Sequence, residues 1–162
     1  MTKAEAKEYL SEVKIQKRRI LKKLERAEDL LDQAADPGAL RYDDMKVQSS
    51  VAPDRNIRLI CEAVDLQNET IDDRIQLMQM IDERINWILR LSKPLHIDLL
   101  CDKYIYDHTL EDIREQLLKT DGEQYRYDHL CREHSIALNH LAEIITEYEE
   151  HGELRSWISE LS

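Results

Sequence analysis

Three groups of side chains are of types that chemistry uses, and their spacing decides what each could do. His129, Cys131 and His134 are metal-ligand types close together in the chain. On a helix, however, two positions turn the chain so far that His129 and Cys131 point ~160° apart, and Cys131 and His134 fall on the apolar side. Core packing is therefore preferred to a metal site, and neither a metal nor another cofactor is expected. The adjacent carboxylates Asp43–Asp44, Asp72–Asp73 and Glu149–Glu150 diverge on a helix and have no apolar pocket to raise a pKa for acid–base work. Ser49 and Ser50 have no His or Lys base nearby in sequence and read as loop hydrogen-bonders or a local cap. With no Gly-rich phosphate loop either, a non-enzymatic protein is expected.

The third group is basic. Lys14, Lys17, Arg18, Arg19, Lys22 and Lys23 form the one basic concentration in a chain with 23 Lys and Arg against 34 Asp and Glu, a net charge of −11. Lys14, Arg18 and Lys22 share a helix face at steps of four. They read either as a solvated face partly matched by Glu25 and Glu28 or as possible phosphate contacts.

The elements that must position these groups are helices. Phe is absent, Gly and Pro are three each, and 42% of residues are apolar and 35% charged, an all-α composition. The first long helix is expected from Lys3 to Ala35. Tyr9, Val13, Ile20, Leu24, Ala27 and Leu31 recur at heptad-like steps, a narrow stripe that buries against one partner helix. Asp36-Pro37-Gly38 stops it, and a loop runs over residues 36–53, long enough to be functional or mobile.

A second long helix is expected from Asp54 to Leu91, ~57 Å at ~1.5 Å per residue. Its stripe is Ile57, Ile60, Val64, Ile71, Ile75, Met78, Ile85 and Ile88. Paired antiparallel, the two helices make a coiled-coil-like hairpin over residues 1–93. The apolar residues left over, Leu77, Met80, Ile81 and Leu89, suggest a second contact face and so an elongated homodimer. Ser92-Lys93-Pro94 ends the helix.

Residues 94–150 carry a more specific pattern. Leu99, Leu100, Tyr104 and Ile105 form one apolar face before Tyr106-Asp107-His108 breaks it. Thr109, with Asp112 three residues on, is capping-box-like, so a helix starts at Leu110 and buries Leu110, Ile113, Leu117 and Leu118. Lys119-Thr120-Asp121-Gly122 ends it. From about Tyr125 a longer helix places Tyr127, Leu130, His134, Leu138, Leu141 and Ile145 on one stripe. Two helices joined by a Gly-containing turn outline a helix-turn-helix. The expected architecture is therefore all-α, a long antiparallel hairpin followed by a small helix-turn-helix domain. After Ile145 the helix is expected to fray, with residues 151–162 a tail helix carrying Leu154, Trp157, Ile158 and Leu161.

This segment resembles region 4 of sigma factors, and more closely the phage late-transcription regulators of the RinA and ArpU type and their streptococcal-phage relatives. The run LLCDKYIYDHTLEDI is similar to that family's LL-x-x-RY-x-x-x-x-T-x-x-x-I, and YRYDHLCREHSIAL to its Y-x-Y-x-x-V-x-R-x-H-x-x-AL. Val47-Gln48-Ser49-Ser50 is also similar, so the likeness covers roughly residues 45–146. It places Tyr125, Tyr127, Cys131, Arg132, His134, Ala137 and Leu138 on recognition-helix positions. It implies a phage- or prophage-type DNA-binding transcriptional regulator in a bacterial cytoplasm, contacting DNA through Gln124, Arg126, His129, Arg132, Ser135 and Asn139.

Between Leu95 and Glu150 there are five basic residues against fourteen acidic ones, and DNA affinity comes largely from neutralising phosphates. That balance keeps two other readings open. One is a protein-interaction module whose acidic helix-turn-helix binds RNA polymerase or another regulator such as a repressor. The other is an oligomeric subunit of DNA-packaging type. No run approaches the ~18 apolar residues of a membrane span, and Met1-Thr2-Lys3 leads into a polar helix and not a signal h-region, so neither a signal peptide nor membrane contact is expected. Cys61, Cys101 and Cys131 show no C-x-x-C spacing and read as unpaired, mostly buried thiols.

Overall fold

The computed structural model describes residues 1–35, 52–122 and 125–160, with backbone alone at 52–54, 121 and 152–160. Among these residues every regular element is helical: α1 (Lys3–Ala35), α2 (Ala52–Ile88), α3 (Pro94–Leu100), α4 (Leu110–Asp121) and α5 (Tyr127–Glu160), with a π-helical turn, Cys101–Ile105, continuing α3. The fold is all-α, and α1 packs against α2 in a hairpin. The 36–53 loop lies, apart from its last two residues, outside the described residues, and with it Val47, Ser49, Ser50 and the Asp43–Asp44 pair. Packing groups Met1–Ile15 with Gln79–Ser162 in one compact unit and Gln16–Met78 in another. The division between them thus cuts both long helices and does not follow the turn at Lys93.

In the Gln16–Met78 unit, Ala27 and Leu30 of α1 bury against Ala63 of α2, with Leu31, Leu59 and Leu66 packed around them. Lys23 Nζ crosses the hairpin to Asp73 at 2.8 Å and Glu69 at 3.2 Å, in keeping with the antiparallel order. Thr70 is buried, and its hydroxyl donates to the Gln67 carbonyl at 2.7 Å.

The face of α2 turned toward α1 is not the expected one. Ile57, Ile60, Val64, Ile71, Ile75 and Met78, the most apolar stripe of the helix, stay exposed. Leu59, Ala63, Leu66, Thr70 and Leu77 take the inner side instead. The side that is buried pairs small with large residues, Ala63 against Ala27 and Leu30, in place of the row of β-branched side chains. Cys61 is exposed as well, against the expectation of a buried thiol, whereas Cys101 and Cys131 are half-buried; all three are free.

In the other unit α2 ends at Ile88, three residues early, in a tight turn where Arg90 N–H donates to the Trp87 carbonyl at 3.2 Å and Leu91 N–H to Ile88 at 3.0 Å. Lys93, preceding Pro94, is held extended at φ −100°, ψ 117°, the geometry proline imposes on the residue before it. Leu95 and Leu99 of α3, Leu110, Ile113 and Leu117 of α4 and Leu130 of α5 share one core with Tyr125 and Cys131 at its edge.

The start of α4 matches its sequence signature. The Thr109 hydroxyl accepts from Asp112 N–H at 3.2 Å, and the Asp112 carboxylate accepts from Thr109 N–H at 2.8 Å. Gly122, at φ 68°, closes the helix in the left-handed conformation that costs a Cβ-bearing residue energy. Leu118 is 47% and Tyr127 42% exposed, so neither is the core residue expected: α4 is covered on one side only, and Tyr127 sits at the open first turn of α5. That helix does not fray near Glu147 but continues through Gly152 to Glu160, since one glycine costs a helix only ~1 kcal/mol.

Candidate nucleic-acid interface

α5 is held by α3 and α4, both of which pack on it. Leu130, Ala137, Leu138, Leu141 and Ile145 are buried, which fixes the rotation of the helix and leaves the opposite side to solvent. On that open side stand His129, Arg132 and Asn139, all exposed, and just before the helix stands exposed Arg126. Gln124 lies outside the described residues. Ser135 is not free: it is half-buried, and its hydroxyl accepts from Lys3 Nζ at 3.0 Å. His129 stacks on Tyr125, ring centroids 5.8 Å apart and 4° from parallel.

Arg132 makes no ion pair among the described residues, although acidic Asp128 and Glu133 lie close in sequence. Glu133 faces inward, accepting from Lys93 Nζ at 2.5 Å and from buried His96 Nε2 at 2.8 Å. The Lys93 bond, then the His96 bond, holds its carboxyl below the usual Glu range. On a 100°-per-residue wheel Glu133 and Ser135 lie on opposite sides of Arg132. Lysines therefore reach α5 on both flanks of Arg132, Lys93 at Glu133 and Lys3 at Ser135. Neither was foreseen from sequence, because Lys3 meets α5 across 132 residues and Lys93 reads only as the residue before a proline.

A second constellation lies where the π-helical turn meets α5. The Tyr104 hydroxyl is 3.1 Å from His134 Nε2 and the rings are stacked. Burial, then the charges of Lys103, Lys7 and Lys3, pushes the His134 pKa down to about 4, so the imidazole is neutral near pH 7 and the Tyr104 hydroxyl donates to it. Burial raises the Tyr104 hydroxyl to about 12. Burial, with Asp102 and Asp98 adding to it, raises the Cys101 thiol to about 11, which keeps that thiol protonated and unreactive. Lys103 is pushed down by burial, with Lys7 and Lys14 nearby. The expected trio His129, Cys131 and His134 thus has three different environments: a stacked surface ring, a core edge and a tyrosine partner. Among the described residues no group of three His, Cys, Asp or Glu could hold a metal.

Lys14, Arg18 and Lys22 lie at steps of four on the continuous helix α1, in different surroundings. Lys14 is half-buried and ion-paired with Asp107, a residue at φ 63°. Lys22 lies 3.8 Å from Glu25, and Arg18 is exposed.

Shallow clefts lie at the helix junction. One of about 470 Å³ is lined by Arg114, Tyr125, Arg126, Tyr127 and Asp128. Between the end of α4 at Asp121 and the start of α5 at Tyr127 the connection is longer than the ~3–4 residues of a minimal helix-turn-helix. No protein-family model, no curated protein and no solved structure matches this chain.

Proposed function

We propose that this chain is a non-enzymatic DNA-binding regulator of transcription, of phage type, that sets the N-terminal half of α5 against the duplex. The observation that carries the reading is Arg132: exposed on the open side of α5 and without an ion pair among the described residues. Arginine is the side chain best shaped for guanine edges and phosphates. Arg126, His129 and Asn139 extend the same open side; Lys3 adds positive charge at one flank and Lys93 offsets Glu133 at the other.

Selection from a random-sequence duplex pool, followed by retention over a salt series, tests this. Arg132→Ala is expected to weaken the selected sequence by ~1–3 kcal/mol if the side chain reads a base, or to lower the salt slope by about one if it holds a phosphate. Absence of retention at low salt would remove the reading. A second reading is supported by Asp128, Glu143, Glu147, Glu149 and Glu150, all exposed on α5. An acidic face of this kind suits a basic protein surface such as one on RNA polymerase, and binding to polymerase without DNA retention would favour it.

A further inference from the structure

We propose that a second copy of this chain docks antiparallel along the outer face of α2 within the Gln16–Met78 unit. The face is Ile57, Ile60, Val64, Ile71, Ile75 and Met78, each between 45% and 66% exposed, on the side of α2 away from Ala63 and Leu66. Half of a long aliphatic side chain is on the order of 100 Å². Six of them offer roughly 600 Å² per copy before polar neighbours are counted, close to the ~800 Å² per partner of a specific interface. The offered area is the upper end of the ~300–600 Å² that the largest apolar patch of a typical monomer covers, a size that is often functional.

The spacing names the occupant. Successive steps along the face are three, four, seven, four and three residues, which reads the same in both directions. About a two-fold axis between Gln67 and Asn68, Ile57 therefore meets Met78 of the second copy, Ile60 meets Ile75, and Val64 meets Ile71. Every apolar residue has an apolar counterpart at its own level. The helical wheel adds lateral fit: Ile57 leans ~30° to one side of the seam and Met78 ~30° to the other, and Ile60 and Ile75 do the same in reverse. The counterparts interdigitate as knobs into holes and do not collide. Polar Gln67 and Asn68 flank the axis, where amides can bond across it and hold the register. A second α2 has the matching row by construction and at the same concentration, and its apolar residues meet level for level about the two-fold axis. Beside the face opens a largely apolar groove lined by Ile20, Leu21, Leu24 and Leu77 with Lys17 and Arg74. Leu21, 57% exposed, widens the surface available to the second copy. This pairing does not depend on DNA binding.

Sedimentation equilibrium of the full chain at micromolar concentration is expected to give a dimer, and Val64→Asp with Ile71→Asp a monomer of unchanged helicity by circular dichroism. A monomeric parent overturns the proposal, as does a double variant that stays dimeric. Single cysteines then read the direction. In the antiparallel pair Asn68 of each copy lies on the same side of the seam, one residue from level, so Asn68→Cys is expected to give a disulfide dimer through position 68, identified by peptide mapping. Val64→Cys is not expected to link, because position 64 of the second copy lies seven residues, ~10 Å, along the axis, beyond disulfide reach. A parallel pair would reverse both results and overturn the antiparallel assignment.

Discussion

His134 offers the sharpest physical test of the unit that carries α5. Its imidazole is held neutral by burial and by Lys103, Lys7 and Lys3, with the pKa lowered to about 4 from ~6.5 in an unfolded chain. Because the folded value lies below the unfolded one, its contribution to stability is complete above pH ~6.5. It is lost as the pH falls toward about 4, where the folded protein at last takes up the proton. At pH 5 the difference in proton binding corresponds to ~2 kcal/mol at full strength. The ring keeps partial contact with solvent, which screens the penalty, so ~1 kcal/mol is expected, or ~2–4 °C in melting temperature for a chain of this size. Thermal melts at pH 7 and pH 5 of the parent and of His134→Gln isolate it, since the other histidines are common to both proteins. The parent is expected to lose ~2–4 °C more than the variant over that interval. An NMR titration of the imidazole should place its midpoint well below 6.5, and Lys103→Gln should move it upward. A midpoint at or above 6.5, or equal losses in parent and variant, would refute the reasoning.

Two further outcomes follow from the same unit. Thr109→Ala removes the hydroxyl that accepts from Asp112 N–H and half of the reciprocal cap at α4, and should cost ~1 kcal/mol, read as a lower urea midpoint with unchanged slope. Arg84 is buried over the Tyr9 ring at 3.7 Å and bonded to Glu12 at 2.8 Å and Glu83 at 2.7 Å. Both carboxylates are half-exposed and can return to water, so lost packing dominates. Arg84→Ala should cost ~3 kcal/mol and Arg84→Met, which keeps the stem, distinctly less; equal losses in chemical denaturation would show that charge outweighs packing here.

What can be read from the sequence depends on the range of the interaction. α4 was legible at both ends because its signals are local: Thr109 and Asp112 are three residues apart, and Gly122 needs nothing but its own φ. The same holds for the buried stripe of α5, where Leu130, Leu138, Leu141 and Ile145 repeat on one side. α2 was misread because it has two apolar faces. Periodicity ranks them by hydrophobicity, whereas packing ranks them by fit to Ala27 and Leu30 of α1, and those criteria disagree.

The same distinction governs the candidate interface. Helical phase alone puts Arg132 and Asn139 on the open side of α5, as expected. How much negative charge surrounds Arg132 is a tertiary matter, because it depends on which carboxylates are matched elsewhere. On a helix taken alone Asp128, four residues before Arg132, is the carboxylate placed to restrain the guanidinium, whereas Glu133, its immediate neighbour, does not face it. Packing α3 against α5 brings Lys93 and His96 to Glu133, and the carboxylate is spent inward. Sequence charge counts treat Glu133 as part of the acidic surface that repels phosphate. In the folded unit it is nearly buried and matched by a cation, so the acidic balance facing a ligand on this side of α5 is smaller than the count from Leu95 to Glu150 implies. Lys3, brought to Ser135 from the other end of the chain, shifts it further in the same direction.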